Sequence, residues 1–209
     1  MLTRRHFIMS SAALFSAPIA TTAAAQDAVT FDFDASVIRH ERAGRNPWGL
    51  HDRFMPTRVA HREGMRPGDI HVDPVAKYLY LIEEGGTALR YGVAVGRQGL
   101  QSPGTYRIQR KVEWPSWTPT ANMIAREPQV YAQFAGGVPG GPDNPLGARA
   151  LYLYRGGRDT MLRIHGTPQP WSIGSSASSG CVRLVNDHII QLYDRVPLGT
   201  RVTLHSPWS

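Results

Sequence analysis

One cysteine, Cys181, is all that 209 residues contain, so no disulfide can form within the chain. The fold must therefore hold by its own core, and the length suits one domain with a sizeable core rather than two equal ones. Long apolar runs are missing too. The best of them, residues 8–20, is broken by Pro18 and is too short and too weakly apolar for a membrane span, so none is expected. The eight histidines are dispersed, without an HExxH or paired-ligand spacing, and neither a metal nor an organic cofactor is expected. Acidic residues are outnumbered, 16 against 23 Lys and Arg, for a formal charge of +7. That excess suits an anionic surface such as a cell-wall polymer, or simply keeps the protein soluble. The basic residues are scattered rather than interleaved with aromatics on one face, which speaks against a nucleic-acid partner.

The N-terminus reads as an export signal over residues 1–25. Arg4 and Arg5 form a basic start, small and apolar residues follow, and Ala23, Ala24 and Ala25 offer a cleavage site, so the mature chain is expected to begin near Gln26. The arginine pair before His6 and Phe7 fits the twin-arginine route as well as the general one. An exported protein with one cysteine carries a free thiol into an oxidising compartment, where it needs a reason to persist. It is either a buried apolar group or a reactive one.

Residues 26–67 have no sustained period and read as an N-terminal extension lying on the domain. From Asp69 onward, "DIHVD", "KYLYLIE" and "TALRYGVAVG" carry strand character, with "EEGG" as the turn between the last two. "TYRIQRKVEW" alternates Tyr106, Ile108 and Arg110 as a half-buried strand would. Residues 114–149 hold six prolines and read as a long Pro/Gly-rich insertion without paired strands, of the kind that shapes a site. "ALYLY" and "TMLRIH" form a hairpin that ends on His165. After Cys181 a helix is expected, with Asn186 as its cap, Asp187 in its first turn and an apolar face of Ile189, Ile190, Leu192, Tyr193 and Val196. "TRVTLH" supplies a last strand, and residues 205–209 a tail. The sum is a mostly β chain with few helices. His71 and Asp73 read as a strand-end pair, and Trp114, Trp117 and Trp171 as either core residues or the walls of a groove.

A thiol attacks as thiolate and needs a base or positive potential nearby, together with donors for the oxyanion that develops. Gly180 permits a sharp turn, on which the amides of Gly180 and Cys181 could converge on one oxygen, and His165 at a strand end could reach that turn. "HGTPQPWSIG" followed by "SSGCVRL" resembles the active-site signature of the L,D-transpeptidase family, the YkuD-like catalytic domain. "SPGTYRI", "PSWTPT" and "GGPDNPLGARALYL" are similar to the family's cell-wall branch, so the resemblance covers residues 68–204.

That resemblance implies a β-sandwich domain acting in the periplasm or cell envelope on peptidoglycan stem peptides. It would cleave the bond between diaminopimelate and D-alanine and pass the acyl group to an amine, either on another stem or on an outer-membrane protein. By position, Cys181 falls on the nucleophile, His165 on the proton donor and acceptor, Gly180 on the turn glycine and Arg183 on the residue that holds the donor near its carboxylate. Ser178 and Ser179 are expected beside the substrate, Ser178 within reach of the thiol. Many relatives carry His immediately before the Gly-Cys pair, where this chain has Ser179. With Gly at 166, a main-chain carbonyl is the expected orienter of His165. A carboxypeptidase using water would employ the same thioester. A non-catalytic wall-binding module fits the charge but not the Cys–His pair, and a metal-dependent wall peptidase lacks ligand spacing.

Overall fold

The computed structural model describes residues 46–61, 63–97, 100 and 102–206, and the export signal expected over residues 1–25 lies outside them. Short alternating segments give nine strands: β1 (Thr57–Ala60), β2 (Ile70–Asp73), β3 (Tyr78–Ile82), β4 (Thr87–Gly92), β5 (Gly104–Glu113), β6 (Arg149–Arg155), β7 (Arg158–His165), β8 (Val182–Arg183) and β9 (Arg201–Leu204). They join in the order β1-β4-β3-β2-β9-β5-β6-β7-β8, antiparallel except at β2–β9 and β7–β8.

Both halves of this order feed one core. Ile70, Leu79 and Leu89 from the first half meet Ile108, Leu151, Leu153, Ile164 and Val182 from the second, all essentially excluded from water. Each such side chain stabilises the fold by roughly 1.5–3 kcal/mol. To share a core, the sheet must fold over on itself. The two layers of the expected sandwich are thus one continuous sheet, and its last strand returns to the chain leaving β4. There the amide of Ala94 donates to the carbonyl of Arg183 at 2.9 Å and the amide of Arg183 to that of Ala94 at 2.8 Å.

Three details depart from simple alternation. A register shift in β5 between Ile108 and Arg110 turns Arg110 outward, its guanidinium 4.7 Å from the Tyr152 ring. The same shift points Lys111 at the end of the helix α3 (Asn186–Arg195), where its ammonium donates to the carbonyls of Tyr193 at 2.6 Å and Val196 at 2.8 Å. Asn186 is the first helical residue, not the cap, which is Val185; its Oδ1 accepts the amide of Ala148 at 3.0 Å instead. The apolar stripe of α3 falls as expected, with Ile189 and Leu192 fully buried.

Residues 46–61, assigned from sequence to an extension lying on the domain, are built into it. β1 pairs with β4, and Leu50 and Phe54 pack with Ala94, Ile173 and Val185. The insertion between β5 and β6 also holds more regular structure than its prolines suggested: α1 (Ala121–Arg126), capped by Thr120, and α2 (Pro128–Tyr131), with proline in its first turn. Asn144 ties the insertion down, donating to the carbonyls of Val138 and Pro139 and accepting the amide of Leu146. His71 pairs not with Asp73 but with His205, their ring nitrogens 3.1 Å apart and the rings stacked.

Candidate active site

The parallel pairing of β7 and β8 places Ile164 opposite Val182 and His165 opposite Arg183. Ile164 and Val182 point into the core. By alternation, Arg163, His165, Cys181 and Arg183 all project from the other face, so residues far apart in sequence share one small surface.

The loop that carries the thiol is held by its backbone. Gly174 donates to Val93 at 3.0 Å, Val95 to Ser175 at 3.1 Å, Ser178 to Val95 at 3.0 Å and Arg97 to Ser178 at 3.0 Å, so residues 174–178 run laced along residues 93–97. Gly180, with φ of +127°, takes the last turn before the cysteine; a Cβ on the facing Gly96 would lie 2.9 Å from the Gly180 Cα, so the two chains touch through glycine alone. Ser178 is buried in this turn. Its hydroxyl donates to the carbonyl of Cys181 at 2.5 Å and accepts the amide of Gly180 at 3.2 Å. The Gly180 amide is thereby engaged, whereas that of Cys181 makes no hydrogen bond among the described residues. Ser179 faces outward to the insertion, its hydroxyl 3.1 Å from that of Tyr131.

Cys181 is half-buried, and its thiol donates to the carbonyl of Met161 at 3.8 Å. Met161 occupies a bulge in β7, where the register against β6 slips between Tyr152 and Tyr154, and it adopts a φ of +62°. Asp159 fixes the bulge: its Oδ1 accepts the Met161 amide at 2.8 Å, and its carboxylate takes the Arg163 guanidinium in a two-pronged bond at 2.7 and 2.9 Å. Burial pushes the thiol above its ordinary range, opposed by the Arg163 amide and by the charges of Arg163 and Arg183.

His165 is 3% exposed, with Nδ1 2.6 Å from the carbonyl oxygen of Gly166. A carbonyl can only accept, so Nδ1 carries the proton and Nε2 is left with its lone pair. Burial, reinforced by the charges of Arg183 and Arg163 and opposed by the carbonyls of Gly166 and Leu146, lowers the imidazole to about 3. The side chain that would crowd this arrangement is absent, since a Cβ on Gly166 would fall 2.3 Å from the Asn186 Oδ1.

Arg183 completes the surface. Its Nε is buried with no hydrogen-bond partner, and burial lowers its pKa from the ordinary guanidinium range. A desolvated cation without a counter-ion is costly, and such a position is suited to an anion that arrives with a ligand. Cys181, Tyr131 and Arg97 all act on it electrostatically. Of the tryptophans, Trp171 is 75% and Trp114 47% exposed, while Trp117 packs against Tyr131 and Phe134 in the insertion.

Sequence reasoning named Cys181, His165, Gly180, Arg183, Ser178 and Ser179, and the fold gathers all six around one loop. It missed Arg97, Tyr131 and the Asp159–Arg163 brace. Only the last left a trace, an acid and a base four apart on the strand that ends in His165. Among the described residues no cluster of three potential metal ligands occurs, and no helix is long and apolar enough to cross a membrane.

Residues 67–204 match the family model of YkuD, the L,D-transpeptidase catalytic domain. The chain is 33% identical over 152 residues to the "Probable L,D-transpeptidase ErfK/SrfK" of Escherichia coli, covering 72% of this chain and 47% of that protein. To the "Probable L,D-transpeptidase YbiS" of the same organism it is 40% identical over 127 residues, covering 59% and 40%. It thus spans less than half the length of these curated relatives. A solved structure from Brucella melitensis, described as a "Probable carnitine operon oxidoreductase caia", is 52% identical, with a TM-score of 0.51 over 74% of this chain and 96% of that one.

Proposed function

The chain belongs to the YkuD family of L,D-transpeptidase catalytic domains, and from that premise we propose that it is an exported cysteine acyltransferase of peptidoglycan, working in the periplasm or cell envelope. The donor is a tetrapeptide stem cut between diaminopimelate and D-alanine. The acceptor is an amine, on another stem or on an outer-membrane protein. The observation that carries this reading is Arg183, whose Nε is buried with no hydrogen-bond partner, on the same face as the Cys181 thiol and the His165 imidazole. It supports a donor that brings a carboxylate to within reach of the sulfur. The oxidoreductase description of the Brucella protein is not carried over, because the family match and this constellation both favour acyl transfer.

In the first step Cys181 Sγ attacks the diaminopimelate carbonyl carbon while its proton passes to His165 Nε2. The oxyanion lies against the Cys181 amide, the donor left uncommitted in the turn. Collapse of the tetrahedral adduct breaks the C–N bond, and His165 Nε2–H protonates the departing D-alanine nitrogen, leaving a thioester. In the second step the acceptor amine attacks the thioester carbonyl, gives its proton to Nε2, and the sulfur leaves and recovers that proton. The Gly166 carbonyl keeps Nδ1–H in place throughout. Ser178 and Gly180 hold the turn, and Arg183 binds the donor's terminal carboxylate.

Incubation with a disaccharide tetrapeptide and no added amine tests the proposal by intact mass. The protein is expected to gain the donor less D-alanine on Cys181, and Cys181→Ala to gain nothing. Turnover by Cys181→Ala would sink the reading.

A further inference from the structure

Given the acyl-transfer reading above, the cations at the mouth of the site decide which donor it selects. Arg183 is not the only guanidinium at its mouth. Arg97 leaves the end of β4 and is stitched to the thiol's own loop by its amide, bonded to the Ser178 carbonyl at 3.0 Å. Its Nε, like that of Arg183, is buried without a partner. Its Nη2 meets the Glu127 carboxylate at 2.5 Å, and the same oxygen accepts Arg126 Nε at 3.1 Å. The hydroxyl of Tyr131 in the insertion touches Ser179, close enough to act electrostatically on both Arg97 and Arg183.

Charge then decides what the site lacks. Arg97 and Arg126 share the single carboxylate of Glu127, which leaves one positive charge over, and the Nε of Arg183 is buried without a partner. Asp159 does not redress this, being held by Arg163. A donor stem can supply two anions near the scissile carbonyl. One is the terminal D-alanine carboxylate, adjoining the bond to be cut; the other is the free carboxylate at the far end of the diamino acid's side chain. Arg183 is the nearer cation to the sulfur and acts on it directly, whereas Arg97 stands further out with 43% of its side chain exposed. The nearer carboxylate therefore falls to Arg183, and the distal one is left for Arg97.

We infer that Arg97 is a specificity-determining residue that binds the distal carboxylate of the donor's diamino acid, and that Glu127 of the insertion holds that place until the donor displaces it. The exchange is easy in one direction: a solvent-facing Arg–Glu pair contributes little in water, whereas a donor carboxylate can take the guanidinium head in a two-pronged bond. A carboxamide at the same position would leave the guanidinium without its anion.

The test uses two disaccharide tetrapeptides that differ only in whether the distal carboxyl is free or amidated, with single-turnover acylation of the full-length protein followed by intact mass. Wild type is expected to prefer the free acid by about tenfold or more. In Arg97→Gln that ratio falls toward one. Arg97→Lys, which keeps a charge but not the fork, gives an intermediate ratio. Glu127→Gln, which removes the competitor, lowers the apparent KM for the free acid several-fold and raises the ratio. An Arg97→Gln ratio equal to that of wild type, or a wild type indifferent to amidation, overturns this inference and leaves acyl transfer standing. A wild type acylated by neither donor overturns acyl transfer and the inference with it.

Discussion

The imidazole Nδ1 of His165 lies 2.6 Å from the carbonyl oxygen of Gly166, its own neighbour in the chain. That contact settles which ring nitrogen can take a proton, and it needs no second side chain to do so. Burial lowers His165 to about 3 and raises Cys181, and both directions favour an unionised thiol and an uncharged imidazole at rest over a thiolate–imidazolium pair.

Alkylation reports that resting state. Iodoacetamide is expected to label Cys181 slowly at neutral pH, with a rate that climbs through and beyond the ordinary thiol range as the sulfur ionises. A fast, pH-independent plateau on the acid side of neutrality would instead signify a preformed ion pair.

Arg183 trades stability for its place. Replacing a half-buried cation whose Nε lacks a partner with Gln should leave unfolding free energy in urea unchanged or raise it by about 1 kcal/mol, while acylation falls roughly a hundredfold or more. Arg183→Lys should also fail in turnover, by about tenfold, since a point charge cannot reproduce the fork. A stability loss of several kcal/mol in Arg183→Gln would assign the residue to the fold.

Acid should weaken the protein through His188. Its ring lies between Trp48 and Tyr91, both nitrogens are buried without a partner, and burial alone lowers it to about 4. The unfolded chain takes up that proton near 6.5, so the contribution is full above 6.5 and is lost as pH falls toward 4, to a total of roughly 3 kcal/mol. Thermal unfolding of His188→Phe should show a gain of about 1 kcal/mol near neutrality and a shallower decline in acid. His205, also lowered to about 4, and His165, lowered to about 3, leave a residual slope in the same direction.

Lys111→Met should cost about 1–2 kcal/mol in urea unfolding, because two carbonyls at the end of α3 lose their donor. A neutral result would mean that water replaces the ammonium without penalty.

Much of this could be read from residues alone, for physical reasons that differ by feature. Strands β2 to β7 announce themselves through alternation, and the stripe Ile189, Leu192, Val196 announces α3. The His165 and Cys181 neighbourhood was legible because a turn glycine and a strand end bracket it. Lys111 was not, since a one-residue slip in β5 reverses which side chains face inward and nothing local marks it. Asn186 misled for a related reason: its amide suits a helix cap, but the chain offered it the Ala148 amide first. Arg97 and Tyr131 lie far from Cys181 in sequence and meet it only when the sheet folds over.

The sheet and the turn before β8 supply Cys181, His165 and Arg183, whereas the segment between β5 and β6 reaches their surroundings through Tyr131 with Ser179, Glu127 with Arg97 and the Leu146 carbonyl near His165. Bond-making parts and gatekeeping parts therefore belong to separable pieces of chain. Descendants of such a scaffold can lengthen, shorten or rewrite the gatekeeper while the reacting atoms keep their spacing, so new partners can be acquired without reinventing the chemistry.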